Sequence, residues 1–240
     1  MVHPLSPWPL AIASAIVGIV EQVALNPLTI LRSRAFAGRR VPLVQLLRPD
    51  QWSRGLPLLL GVQVARNLVG FGLWAQLAVL GMDYWLAGLL AGAADGLVFA
   101  PTRRLLFRQH LGAPQPAAEL ARIIICTEGW RGLWRGGSLS VARTALGGLV
   151  YFGVLGTILA ALPGMHPALT GALATAACTI AVNPCEVALA CVYSGRWRPP
   201  PLRRYGRGLG IALARTVPAK ALSWWATYGL AASLAGWGAA

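Results

Sequence analysis

The sequence predicts an all-α membrane protein: six transmembrane helices arranged as three pseudo-threefold repeats. Three observations lead there. Of 240 residues, 56% are hydrophobic and only 12% charged, which is more apolar surface than one soluble core of this size can cover. The formal charge of +14 is not spread evenly, because seventeen of the twenty arginines fall in the windows Arg32–Arg54, Arg103–Arg135 and Arg196–Arg207. Finally, a unit of helix, basic loop and helix occurs three times along the chain. Disorder is excluded, since it requires low hydrophobicity.

Six stretches approach the ~20 apolar residues that cross a bilayer. They are Leu5–Leu31, Gly55–Gly81, Tyr84–Pro101, Ser138–Leu162, Ala168–Val192 and Gly208–Trp237. The first has no basic segment ahead of it and runs on into Asn26-Pro27, so a retained helix is expected rather than a cleaved leader. Joints one, three and five are long and arginine-rich. Joints two and four, around Gly81–Asp83 and Pro163–His166, are short and almost uncharged. The positive-inside rule then sets the three basic loops on one face and both termini on the other.

Other uses of these residues find less support. Nucleic acid needs an exposed basic face with stacking aromatics, whereas the tryptophans here sit mostly at segment ends, where interfacial aromatics belong. No nucleic-acid partner is expected. Cys126, Cys178, Cys185 and Cys191 show no CxxC spacing, so neither a metal site nor a disulfide framework is indicated. His3, His110 and His166 fall in tails or loops without a nucleophile partner, and no enzymatic activity is expected.

The repeat is visible by alignment. With Pro27, Pro101 and Pro184 in register, Gly18, Gly92 and Thr175 stand nine residues earlier and Ser14, Gly88 and Gly171 thirteen earlier. These are small residues of the kind that let membrane helices approach closely. With Gly55, Gly136 and Gly208 in register, each follows an arginine (Arg54, Arg135, Arg207), and sixteen residues on stands Phe71, Phe152 or Trp224. One transmembrane domain, 1–240, is expected, with repeats at approximately 1–82, 83–164 and 165–240.

These residues resemble the mitochondrial carrier family. Its signature is Pro-x-(Asp/Glu)-x-x-(Lys/Arg)-x-(Lys/Arg), followed later by (Asp/Glu)-Gly-x4-(aromatic)-(Lys/Arg)-Gly. The second half is complete in repeat two, from Glu128-Gly129 through Trp134-Arg135-Gly136. The first half begins at Pro27, Pro101 and Pro184 and is partial in each copy. The resemblance covers nearly the whole chain. It implies a six-helix barrel with the basic loops toward the mitochondrial matrix and the termini toward the intermembrane space. Surface helices would fall at Val41–Leu47 and Pro116–Cys126, while the loop with Pro199-Pro200-Pro201 is too short for a good third copy.

In that family, ion-pair rings close each face of a central cavity. The acid positions of the matrix ring read Thr29, Arg103 and Glu186; the base positions read Arg32, Leu106 and Leu189. One pair, Arg32–Glu186, is therefore expected, with Arg103 adding repulsion near Arg32. The opposite ring reads Ala75, Ala78, Gly156, Leu159, Tyr228 and Ala231, with no charge at all. Inside the cavity, Arg66, Arg143, Arg215 and Lys220 are candidate contacts for an anionic substrate, and Glu21 and Asp95 are candidate partners for those bases. Charges at such depth are functional candidates by default.

Each even helix is preceded by an aromatic-arginine-glycine group: Trp52, Arg54 and Gly55; Trp134, Arg135 and Gly136; Tyr205, Arg207 and Gly208. Helix N-termini attract phosphate, and the resemblance makes these bound-phospholipid (cardiolipin) sites. No other cofactor is expected. The function expected from the eroded rings is an accessory subunit of a larger inner-membrane assembly, such as a respiratory complex, with transport reduced or lost and with other inner-membrane subunits as partners. The alternative is a divergent mitochondrial carrier of an anionic metabolite.

Overall fold

The structure, a computed structural model, describes residues 7–37, 55–113, 115–162, 164–195, 205–206 and 208–237. Six long helices carry the fold: α1 (Pro7–Phe36), α2 (Leu56–Val79), α3 (Tyr84–His110), α5 (Gly137–Ala161), α6 (Pro167–Tyr193) and α7 (Leu209–Trp237). A short helix, α4 (Ala117–Glu128), and a 3-10 turn over Trp130–Trp134 join α3 to α5. Among the described residues there is no strand. The first five long helices are long and apolar enough to cross a membrane. α7 matches their length at 29 residues and packs into the same ring, because each long helix touches the one before it and α7 returns to α1.

Two predicted spans run further than hydropathy alone suggested. α1 continues past Leu31 to Phe36 and α3 past Pro101 to His110, so Pro27, Pro101 and Pro184 all lie inside helices. Proline removes one backbone donor, and in a membrane the remaining polar backbone has no water to turn to, so the helix resumes. The apolar run ends where Arg32, Arg103 and Arg104 begin, but these side chains turn inward. Arg104 is 1% exposed.

The helix ends show why the sequence repeats as it does. Gly55 and Gly136 are the N-caps of α2 and α5, with φ of 72° and 79°, and Gly208 ahead of α7 has φ 75°. That left-handed backbone favours glycine. Each glycine also lies against the end of the next repeat's first helix: Gly55 against Leu106 and His110, Gly136 against Val192 and Tyr193, and Gly208 against Phe36. The basic-loop face is thus sewn together three times by the same contact. On the opposite face, Asp83 caps α3 by accepting from the amides of Trp85 at 2.9 Å and Leu86 at 3.2 Å. His166 caps α6 through Ala168 N at 3.3 Å.

Of the two expected surface helices, the second is α4, running two residues beyond Cys126. Its Leu120 and Ile124 pack on Leu105 and Leu133, while Glu119, Arg122 and Ile123 face outward. Val41–Leu47 and Pro199–Pro201 lie outside the described residues.

Candidate functional site: the central cavity

The ring of helices encloses a cavity of about 420 Å³. Among the described residues lining it are three acids, Glu21, Asp95 and Glu186, and six bases, Arg32, Arg66, Arg103, Arg143, Arg215 and Lys220. All the cavity residues singled out from the sequence are therefore brought to one place. Their pairing differs from the expected one.

Every acid meets a base on the neighbouring repeat. Lys220 Nζ on α7 donates to Glu21 Oε2 on α1 at 2.7 Å. Arg66 on α2 grips Asp95 on α3 with two bonds, Nε to Oδ1 at 2.9 Å and Nη2 to Oδ2 at 3.3 Å. Arg143 on α5 donates directly to Glu186 on α6. Each base sits on the second long helix of its repeat and each acid on the first helix of the next, so the three pairs span the three inter-repeat seams. The bidentate Arg66–Asp95 arrangement is the stronger type of charge-assisted contact.

One expectation is extended here and one is corrected. The expected matrix pair, Arg32 and Glu186, is present at 3.9 Å, while Arg143, not anticipated there, holds the direct bond to Glu186. The reason is reach: Arg143 crosses the α5–α6 seam next to Glu186, while Arg32 on α1 approaches from across the cavity and also lies over the Phe36 ring, 5.7 Å from its centroid. Arg103 was expected to add repulsion near Arg32. It instead folds back along α3 and donates to Asp95, which therefore accepts from two arginines.

The remaining polar residues fill in around these pairs. Arg215 Nη2 donates to Gln22 Oε1 at 3.4 Å. Gln63 donates to Asn67, and Asn67 in turn donates to the carbonyl of Ser14 at 2.7 Å, tying α2 to α1. Leu106 and Leu189, at the lost base positions, line the cavity as apolar wall.

On the uncharged face, the ring positions Ala75, Leu159 and Tyr228 join an apolar and aromatic cluster. Phe71, Phe152 and Trp224, the three aligned aromatics, meet there. Phe71 and Phe152 pack edge to face at 5.3 Å, and Phe71 and Trp224 at 6.0 Å. Trp74 stacks on Phe152 at 4.7 Å, and Trp224 Nε1 donates to the Tyr151 hydroxyl. The cavity is closed on this side by rings rather than ions.

Several contacts were not anticipated from the sequence. His110 is not in a loop: it ends α3, is 2% exposed, and sits 3.1 Å from Ser33 Oγ through Nδ1. Arg34 Nε donates to its carbonyl at 2.9 Å. Glu128 gathers Arg104 through two bonds of 2.7 and 2.9 Å, Arg135 at 3.3 Å and Arg108 at 3.8 Å. The Arg104 hydrogen bond, chief among these, holds the Glu128 carboxyl below the usual glutamate value, while its slight desolvation works the other way. The sequence signal for this knot was the Glu128-Gly129 motif, but nothing in the spacing named Arg104 as its partner.

Of the nine candidate lipid-contact residues, Trp52, Arg54 and Arg207 lie outside the described residues. Trp134 is 40% exposed at the base of α5, next to Arg135 and the N-cap Gly136. Tyr205 is partly buried against the Phe36, Val187, Ala190 and Ala212 cluster.

Comparison with known proteins agrees with this architecture. No curated protein matches the chain. Residues 81–166, which hold α3, α4 and α5, match the family model described as mitochondrial carrier protein. That segment is the second of three structurally parallel repeats, and the helices and apolar faces of the whole fit a multi-pass protein of the mitochondrial inner membrane. Over that segment the chain is similar to the mitochondrial carrier family, and the helical architecture of the described residues fits the carrier fold.

Proposed function

We propose that this carrier-fold protein serves as a fixed accessory subunit of a larger inner-membrane assembly rather than as an alternating carrier. The observation that carries this reading is the set of three ion pairs across the inter-repeat seams. An alternating barrel must part its repeats by breaking ionic latches at its two faces. Here the intramembrane carboxylates are committed within the cavity, and the neutral face is shut by packed rings with no ion to exchange. Breaking a buried pair leaves an uncompensated charge costing about 3–5 kcal/mol, and three such seams would have to part together.

The same reading orients the basic loops to the matrix and the termini to the intermembrane space. It assigns cardiolipin to the N-terminus of each repeat's second long helix, where Gly136 and Gly208 stand ahead of α5 and α7 close in sequence to Trp134 and Tyr205. Two measurements test the proposal. Reconstituted into liposomes, the protein should show no saturable exchange of phosphate, di- or tricarboxylates or nucleotides. Solubilised gently from its own membrane, it should migrate on a native gel with a complex far larger than 25.3 kDa. Saturable, substrate-specific exchange by a protein that migrates alone would overturn the proposal.

One observation favours the alternative of a divergent anion carrier. The cavity is not filled, and its bases outnumber its acids by six to three among the described lining residues.

A further inference from the structure

α4 and the 3-10 turn after it lie on the basic-loop face. The apolar side of α4 is spent on the barrel, since Leu120 and Ile124 turn inward onto Leu105 and Leu133. Its other side carries Glu119, Arg122, Ile123 and Cys126, spaced as one face of a helix and all exposed. A helix floating in headgroups turns its apolar side to the acyl chains. Here the mainly polar side is the outward one.

Gly129 ends α4 with φ 74°, and Trp130 follows it 68% exposed. In the motif that runs from Glu128-Gly129 to Trp134-Arg135-Gly136, the aromatic position is Trp134, so the repeat itself does not call for Trp130. Arg131 beside it and Arg122 on α4 are exposed and form no ion pair with a described residue. From Arg104 to Gly136 five arginines stand against two glutamates. One of those glutamates, Glu128, is already surrounded by Arg104, Arg108 and Arg135. The surface is net basic around an open indole, and tryptophan and arginine are the residues that most often anchor protein interfaces. The exposed apolar faces of the long helices need no such partner, because lipid covers them.

We propose that Arg122, Ile123, Trp130 and Arg131 form the surface by which the host assembly holds this chain, and that the occupant is an acidic segment of a partner subunit. Its apolar side chain covers Trp130, and its carboxylates meet the two guanidiniums, whose planar forks suit them. Charge complementarity of this kind steers and orients docking. The inference rests on the accessory reading and gives that reading its interface.

The test follows the full chain in its own membrane. Native-gel migration is compared for wild type, Trp130→Ser, the double variant Arg122→Glu with Arg131→Glu, and Trp225→Leu, which changes a side chain 60% exposed on α7. In parallel, benzoylphenylalanine in place of Trp130 is photo-crosslinked and the attached segment is mapped. Trp130→Ser and the charge reversal should each lower the complex-bound fraction roughly tenfold or more, the scale of an interface anchor. Both should keep the wild-type melting midpoint, because the altered side chains are exposed, and Trp225→Leu should remain bound. The crosslink should fall on a polypeptide segment richer in Asp and Glu than in Lys and Arg; it decides the matter even if a charge reversal disturbs folding. Adducts with lipid alone or with a second copy of the chain, a mapped segment without excess acid, or equal release of Trp225→Leu would overturn the surface. A wild-type chain that migrates alone removes the accessory reading and this interface with it. A large wild-type complex that both variants still join removes the interface only.

Discussion

Asp95 balances two of the cavity's bases, since Arg66 and Arg103 both pair with it. Replacing it with asparagine leaves two guanidiniums facing one another, and the expected cost is about 3–5 kcal/mol. That would be read as a fall in the thermal midpoint of the detergent-solubilised protein. Adding Arg103→Gln to Asp95→Asn should recover part of the loss, because the two positions are coupled, and a double-mutant cycle measures that coupling. A second residue-level prediction concerns Glu128 at the membrane surface. Its folded value is depressed by Arg104, so its contribution to stability is present above the ordinary glutamate value. It is lost as pH falls through the lower folded value. Melting curves taken down that acid window should show a decline in wild type that is shallower in Glu128→Gln. An absence of difference between the two would remove the knot's role.

Among the elements, α3 and α5 approach most closely. Gly88 and Gly92 lie directly against the α5 backbone, and a methyl group at Gly92 would sit 2.9 Å from the carbonyl carbon of Thr144. Backbone cannot move aside as a side chain can, so Gly92→Ala should destabilise by about 1–3 kcal/mol, the usual range for overpacking. In the first repeat the matching Gly18 faces the side chains of Gln63 and Asn67, which can yield. Gly18→Ala should therefore cost less, and comparing the two melting points checks the argument. Aligned small residues made this stripe readable in the sequence, because close approach in a membrane depends on residue size alone. Which copy would pack backbone to backbone was not readable, since that depends on where neighbouring side chains end.

At the level of the whole barrel, the neutral face is held by shape rather than charge. The three aligned aromatics converge there, so a gate lost as ions is occupied as packing. Phe152→Ala removes a ring that touches Phe71, Trp74 and Tyr151. It should cost about 3–5 kcal/mol and, if the protein still assembles, should make reconstituted vesicles leak small anions that wild-type vesicles retain. A tight variant would mean that the closure lies elsewhere. The leak would arise because a cavity lined with surplus base would then be open at both ends, with no ionic latch to close it.

Composition, the three basic windows and the aligned prolines and glycines were enough to establish membrane class, helix number and threefold repetition. Those properties depend on hydropathy and local backbone geometry, which the chain carries residue by residue. The loss of charge at the neutral ring was equally plain, because absence of a charged residue needs no partner to interpret. Pairing was different. Glu186 could be reached by Arg32 or Arg143, Asp95 by Arg66 or Arg103, and His110 could be a loop residue or a buried helix end. Long arginine side chains span several ångströms, so a one-turn difference in helix register reassigns a bond. The folded barrel settled those choices through distance, placing the acids at the seams, with Glu186 shared by Arg143 and Arg32 and Asp95 by Arg66 and Arg103.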